Sequence, residues 1–362
     1  MATKLIFSVF FVLPFLAYHA QAVTVYDITK YGAKPGADIS QVLSTVWKEA
    51  CQATNASKIV IPKGRWFLSQ ARLHGPNKSP LELEVRGTVE ADPDINKLPN
   101  KIGEWITINY NLSFNFLNNS IIKDVTTKDS KNFHTNCIAS HNVTFLRYTI
   151  TAPGDSVNTD GIHIARASMV KVLDSNIGTG DDCISIGDET TDLHIENVNC
   201  GPGHGISVGS MGKNPAERDV SGIYVKNCTF TGTSNGVRVK TWPSAPATLR
   251  ISGLHFEDLV MNNVSNPVVI DQQYCPWNLC DKAKPSLIKI TEVTVKNVKG
   301  TSNTKEAIIL SCSASKPCDN VEISDIDLLY VNPIPANFTT ICENVKPRVF
   351  GKQNPPICAT TA

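Results

Sequence analysis

The chain has 362 residues, 41% of them apolar, and a formal net charge of +1, so it can bury a large core. A near-neutral balance argues against nucleic acid as the main partner, because such binding leaves a basic footprint. Attraction for an anionic ligand must come from a local cluster.

Lys4 precedes an uncharged apolar run from Leu5 to Ala17, and Ala20-Gln21-Ala22 fits a small-x-small cleavage site. The run is shorter than the roughly 20 apolar residues of a membrane span. The expectation is a leader over residues 1–22 and a secreted chain from 23 to 362 with no membrane contact. Losing the leader removes Lys4 and no acid, which takes the formal charge from +1 to 0.

All eleven Cys fall after the leader, and an oxidising compartment permits disulfides. The expected bridges are Cys183–Cys200, Cys312–Cys318 and Cys342–Cys358, with Cys275 and Cys280 a further possible pair. Cys51, Cys137 and Cys228 have no obvious mate, and no Cys–His spacing fits zinc. Eight Asn-x-Ser/Thr acceptors occur, among them Asn55, Asn142 and Asn227, some expected in strands rather than under glycans.

After the leader, Val23–Asp27 reads as a strand, followed by a Gly/Pro turn from Gly32 to Gly36. Val42, Val46, Trp47 and Ala50 then follow helical spacing, with Asp38 or Ser40 as N-cap. Such a helix can cover the open end of a strand stack. From Lys58 onward the pattern turns to short strands: 58–62, 81–85 and 105–110, then restarts at Asn142, Met169, Leu193, Ile223, Leu254 and Ile288.

Between the restarts one figure recurs: a polar residue, a small residue, then apolar–polar–apolar. It stands at Asp160-Gly161-Ile162-His163-Ile164, Asp182-Cys183-Ile184-Ser185-Ile186 and His204-Gly205-Ile206-Ser207-Val208, spaced 22 and 22 apart. It returns at Asn235 and Asn266, each 31 further on, and loosely at Glu306. In-phase copies with about three strands per turn predict an all-β chain folded as a right-handed parallel β-helix in a single domain. A β-sandwich would not explain the phase.

In such a solenoid equivalent positions stack roughly 4.8 Å apart. Asp160, Asp182 and His204 therefore fall in one column, with Asp181 beside it and Arg238 and Lys240 on the next coil. Crowded carboxylates raise one another's pKa, so one of them should keep its proton. General acid–base cleavage of a glycosidic bond needs such a pair. His204 would orient or tune an acid, and Arg238 and Lys240 would hold an anionic group. Asp at a solenoid corner also caps turns, and an acidic cluster can bind Ca²⁺. Two cations and a His at the same place point away from both.

At Asn158-Thr159-Asp160, Gly180-Asp181-Asp182, Gly203-His204-Gly205 and Arg238-Val239-Lys240 the chain resembles the polygalacturonases of glycoside hydrolase family 28. The last motif has Val where the family has Ile. The wording around the motifs is most similar to plant pollen-type exopolygalacturonases. The resemblance implies inverting hydrolysis of α-1,4-galacturonosyl bonds in polygalacturonate by a monomer, without cofactor or metal. It casts Asp181 as the acid, Asp160 and Asp182 as the pair that activates water, and His204 as support for the acid. Arg238 and Lys240 would bind the substrate carboxylate, and Asn158 and Tyr274 would line the cleft.

Between Tyr110 and Phe114 the chain departs from its relatives by lacking a Gly-rich segment of about a coil or more. A catalytically weak pectin-binding wall protein, or an allergen-like relic, is therefore the second expectation. A Ca²⁺-dependent pectate lyase is the third.

Overall fold

The computed structural model describes residues 23–358, apart from 70, 75–77, 80, 91–105, 110–111, 131 and 332–337. The expected leader and the junction at Tyr110 and Asn111 lie outside the described residues. None of the described helices is long and apolar enough to cross a membrane.

A strand at Thr24–Asp27 and one 3-10 turn at Ile28–Tyr31 lead into the helix Ser40–Gln52. The helix buries Leu43, Val46, Trp47, Ala50 and Cys51 against the strands Ser57–Ile61 and Ala71–His74. Val42 is only partly buried. The expected cap is displaced as well. Ile39 holds the N-cap position, and Asp38 Oδ1 reaches past it to accept from the Ser40 N–H at 2.9 Å.

Beyond the helix the chain winds as a right-handed parallel β-helix. A representative coil runs through Ile162–Ala165, Ser168–Leu173 and Asn176–Gly178 before the next coil opens at Ile184–Ile186. Register follows the repeat figure. Ile162 pairs with Ile184, Ile184 with Ile206, Ile206 with Val237, Val237 with Val268 and Val268 with Ile308. Each inward residue thus stacks on its own kind. Ile164, Ile186, Val208, Val239, Ile270 and Leu310 form one fully buried aliphatic column. The core that contains this column extends from Ile28 to Ile357.

Corners are made by residues that tolerate left-handed backbone. Asp174, Asn197, Asn227, Asp258 and Asn297 all have φ between 50 and 57°, the region Asn and Asp enter most readily. Their side chains ladder up the solenoid. Asn197 Nδ2 donates to Asp174 Oδ1 at 2.9 Å, and Asn227 Nδ2 to Asn197 Oδ1 at 2.7 Å. Asn142 Nδ2 likewise donates to Asn119 Oδ1 at 2.7 Å.

Three strands per coil holds only as far as Thr241. After that the second and third strands fuse into bent strands at Arg250–Val264, Lys289–Ser302 and Asp319–Tyr330. The corner residues Asp258 and Asn297 survive inside them, so the bend persists while the ladder runs through.

The N-terminal coils show a seam. On one face the ladder is unbroken, with Ala71–His74 paired to Ile106–Asn109 and that strand paired to Val125–Lys128. On the other two faces the early strands stand apart among the described residues. Thr24–Asp27, Ser57–Ile61 and Leu81–Val85 form a separate three-stranded sheet, and Arg65–Phe67 with Thr88–Glu90 a separate pair. The nine-stranded ladder that carries the repeat figure begins afresh at Leu112–Asn115.

Candidate active site

The polar residues cluster where the third strand of one coil turns into the first strand of the next. Two of these turns are tied together. Thr159 Oγ1 donates to the Ser156 carbonyl and accepts from the Gly180 N–H, both at 3.0 Å. Any side chain at Gly180 would strike the Ser156 backbone, and one at Gly161 the Cys183 carbonyl. That close approach places the Asp160 turn directly beneath the Asp181–Asp182 turn. The Cys183–Cys200 disulfide anchors the upper turn one residue beyond Asp182. The structure also joins Cys275 to Cys280, Cys312 to Cys318 and Cys342 to Cys358.

Asp182 is the fixed point. Its Oδ1 accepts from Ser207 Oγ at 2.7 Å and Arg238 Nη2 at 2.9 Å, and its Oδ2 from Lys240 Nζ at 2.8 Å. Asp182 is 2% exposed and Lys240 5%, so two cations contact this carboxylate in a place water barely reaches. Lys240 and Arg238 are thus engaged with Asp182, whereas the sequence pointed them only at an external anion.

Asp181 is half-buried and has a different set of partners. Its Oδ1 accepts from the Asp182 N–H at 2.8 Å and from His204 Nδ1 at 3.0 Å. Burial works to raise this carboxyl, but the hydrogen bond and charge of His204 outweigh it and hold Asp181 below the ordinary Asp value. His204 thus serves Asp181.

Asp160 behaves in the opposite sense. Burial, then the charges of Asp182 and Asp181, push its carboxyl up to about 7. The unliganded site therefore carries its proton on Asp160 while Asp181 is ionised. Asn158 sits exposed in left-handed backbone on the same turn, with φ 56°. Tyr274 is half-buried, its ring centroid 5.3 Å from Lys240 Nζ.

Three side chains escaped the sequence reading. The middle residue of each repeat figure faces the same way, so His163, Ser185, Ser207 and Arg238 form one row in register. Ser207 steadies Asp182, and Ser185 hydrogen-bonds both Asp160 and His163 Nδ1. His163 stacks on Phe133 with centroids 5.1 Å apart, and burial lowers it to about 4, so it stays neutral. The signal was the figure itself, whose central polar residue belongs to the site.

A cation has little room here. The ligand atoms of Asp181, Asp182 and His204 lie within 4.8 Å of one another. A divalent ion held by them would sit beside Arg238 and Lys240, which already take both Asp182 oxygens.

The profile of the glycosyl hydrolases family 28 matches residues 108–354, across every element of this site. The chain belongs to that family. A polygalacturonase of Nicotiana tabacum is 50% identical over 97% of this chain and 96% of its own length. An exopolygalacturonase of Oenothera organensis is 45% identical over 90% of this chain and 99% of its own. Among solved structures, an endo-xylogalacturonan hydrolase of Aspergillus tubingensis superposes with a TM-score of 0.58. It covers 92% of this chain and 100% of its own at 19% identity, and so speaks for the fold.

The family comparison also carries a length difference. The Nicotiana alignment runs to 386 positions yet draws on only 97% of the 362 residues, or about 351. About 35 positions, the difference between the two, lie opposite gaps in this family 28 chain. That exceeds one 22-residue coil.

Proposed function

We propose that this chain is a secreted, exo-acting polygalacturonase that hydrolyses polygalacturonate by a single inverting displacement. Residues 23–362 would be its one catalytic domain, acting as a monomer without a metal. The observation that carries the reading is the pairing of opposite electrostatics on adjacent carboxyls. Asp182 has both oxygens against the cations Arg238 and Lys240, while Asp160 keeps its proton to about 7.

In this mechanism a water attacks the anomeric carbon and gives its proton to Asp182, while Asp181 protonates the departing glycosidic oxygen. A bound uronate brings negative charge against Asp181 and raises its pKa, which supplies the acid form the bare site lacks. Arg238, next to the base, would guide the substrate carboxylate with the donors it has left. The four disulfides suit an oxidising compartment outside the cell. The relatives' names, exopolygalacturonase among them, support end-wise action.

The seam in the N-terminal coils and the shortfall of about 35 positions favour a second reading, a pectin-binding wall protein of weak activity. Product analysis on polygalacturonate with a chelator present separates the alternatives. Saturated monogalacturonate released from the outset, first as the inverted anomer, supports the proposal. An ultraviolet-absorbing product that disappears with chelator would mean a lyase, and binding without turnover the second reading.

A further inference from the structure

The aromatic residues beside the site are placed in a way the chemistry above does not use. Trp277 is 68% exposed and Leu279 88%, yet their loop is not a loose tip. Cys275 and Cys280 close it with a disulfide. The Trp277 ring lies nearly parallel to Trp242, with centroids 6.1 Å apart at 23°, and Trp242 meets Tyr274 edge-on at 5.2 Å. Tyr274 in turn carries Lys240, which holds Asp182. A rigid aromatic wall therefore runs from the base outward to solvent. Beside it lies a cavity of about 320 Å³ bordered by Trp242, Trp277 and Lys213.

Charge gives the wall a direction. Lys213 is exposed, with Nζ 5.1 Å from the Trp242 ring centroid. The residues that follow Lys240 in register along the sheet are Asp271, Ser311 and Glu343. A polyanion leaving the carboxylate cluster along the sheet meets Asp271 and Glu343, whereas one leaving along the wall meets Lys213.

We infer that Trp242, Trp277 and Lys213 form an outlying subsite for one uronate unit of the substrate chain. The C–H face of the sugar stacks on the indoles, and its carboxylate pairs with Lys213. The stapled loop keeps the rings in place, so little ordering entropy is lost on binding. This inference rests on the proposed polygalacturonate substrate.

The test compares kcat/KM for tetragalacturonate and digalacturonate, because only the longer oligomer reaches the wall. Trp277→Ala should lower the tetramer-to-dimer ratio about tenfold, and Trp277→Phe should restore most of it. Lys213→Ala should lower the ratio too, an effect that fades at high salt. An unchanged ratio in Trp277→Ala and Lys213→Ala, with the dimer still cleaved by the wild type, would overturn the subsite and leave the reaction intact. If the wild type cleaves neither oligomer, the reaction is wrong, and tetragalacturonate titration by tryptophan fluorescence decides the subsite. Saturable quenching absent from Trp277→Ala supports it, and no quenching in the wild type refutes it.

Discussion

Lys240 Nζ and Asp182 Oδ2 sit 2.8 Å apart with side chains 7% and 3% exposed. A pair this buried does more than attract substrate. Removing one partner strands the other charge, a loss of about 3 kcal/mol or more, here moderated by Arg238 on the second oxygen. Lys240→Met should therefore lower thermal stability and reduce kcat about 100-fold, in the range of losing one preorganised electrostatic contact. Steady-state kinetics and a melting curve check this. A rise in KM at constant kcat would mean that Lys240 only binds the substrate carboxylate.

Asp160 and two buried histidines pull stability in opposite directions with pH. Asp160 has its pKa raised from 3.8 to about 7, so its contribution is complete below pH 3.8 and is lost as pH rises through 7. Burial lowers His134 and His163 from 6.5 to about 4, so theirs is complete above pH 6.5 and lost as pH falls through 4. The slopes oppose across this window, which flattens the wild-type curve. Asp160→Asn removes one slope, and that variant should lose stability steadily from pH 7 down to pH 4. Melting temperatures across the window decide it, and parallel curves would mean that Asp160 titrates as an ordinary carboxyl. The basic limb of kcat/KM in the wild type should fall near pH 7, where the free site gives up its proton.

The repeat figure made much of this readable in advance. Spacings of 22, 22 and 31 put Ile162, Ile184, Ile206 and Val237 in register, because a stacked strand repeats its inward residue once per coil. The same spacing brought Asp160 and Asp182 together. Ser185, Ser207 and His163 stayed hidden because a lone Ser or His on a strand reads as a solvent-facing filler until its neighbours are known. The partner of His204 was ambiguous for a related reason: Asp181 and Asp182 are adjacent in sequence, and spacing alone cannot say which of them meets the His204 ring. Fusion of the later strands left no mark, since the corner residues Asp258 and Asn297 look the same whether or not the ladder breaks.

Asp181 as proton donor can be tested without disturbing the fold. Asp181→Asn keeps the shape and the acceptor for His204 Nδ1 but loses the acid. Activity on polygalacturonate should fall about 1,000-fold. Turnover of a nitrophenyl galacturonide should fall far less, because its leaving group departs without protonation. Equal losses on both substrates would assign the acid elsewhere.

Two disulfides of similar span give an internal control. Cys183–Cys200 and Cys342–Cys358 have sequence separations of 17 and 16, so each should stabilise the fold by about 3 kcal/mol on loop entropy. Only the first adjoins Asp182. Replacing either pair by Ala should lower the melting temperature comparably, while kcat should drop only for Cys183→Ala with Cys200→Ala. A matching kcat loss from the Cys342 pair would show that activity follows global stability instead of the turn.

The seam sets the last expectation. In a solenoid each coil is held by its neighbours, so a whole coil can be lost while the rest stays stacked. The ladder through Ala71–His74, Ile106–Asn109 and Val125–Lys128 is continuous, which is what loss of whole coils leaves behind. Among the described residues the other faces stay in separate sheets. Among the described residues, Asn118–Lys123 pairs only on its C-terminal side, to His141–Leu146. Phe116 just before it is 76% exposed and Ile121 within it 68%. Unpaired strand edges with exposed apolar side chains invite association. Inserting a coil-length segment after Tyr110, where the sequence reading expects the missing stretch, should cover that edge, raise the melting temperature and yield, and increase specific activity on polygalacturonate. Thermal unfolding, yield and turnover of the two forms side by side provide the measurement. Equal values in all three would make the segment a dispensable excursion and the seam a stable end of the ladder, because an edge that costs nothing has no need of a cover.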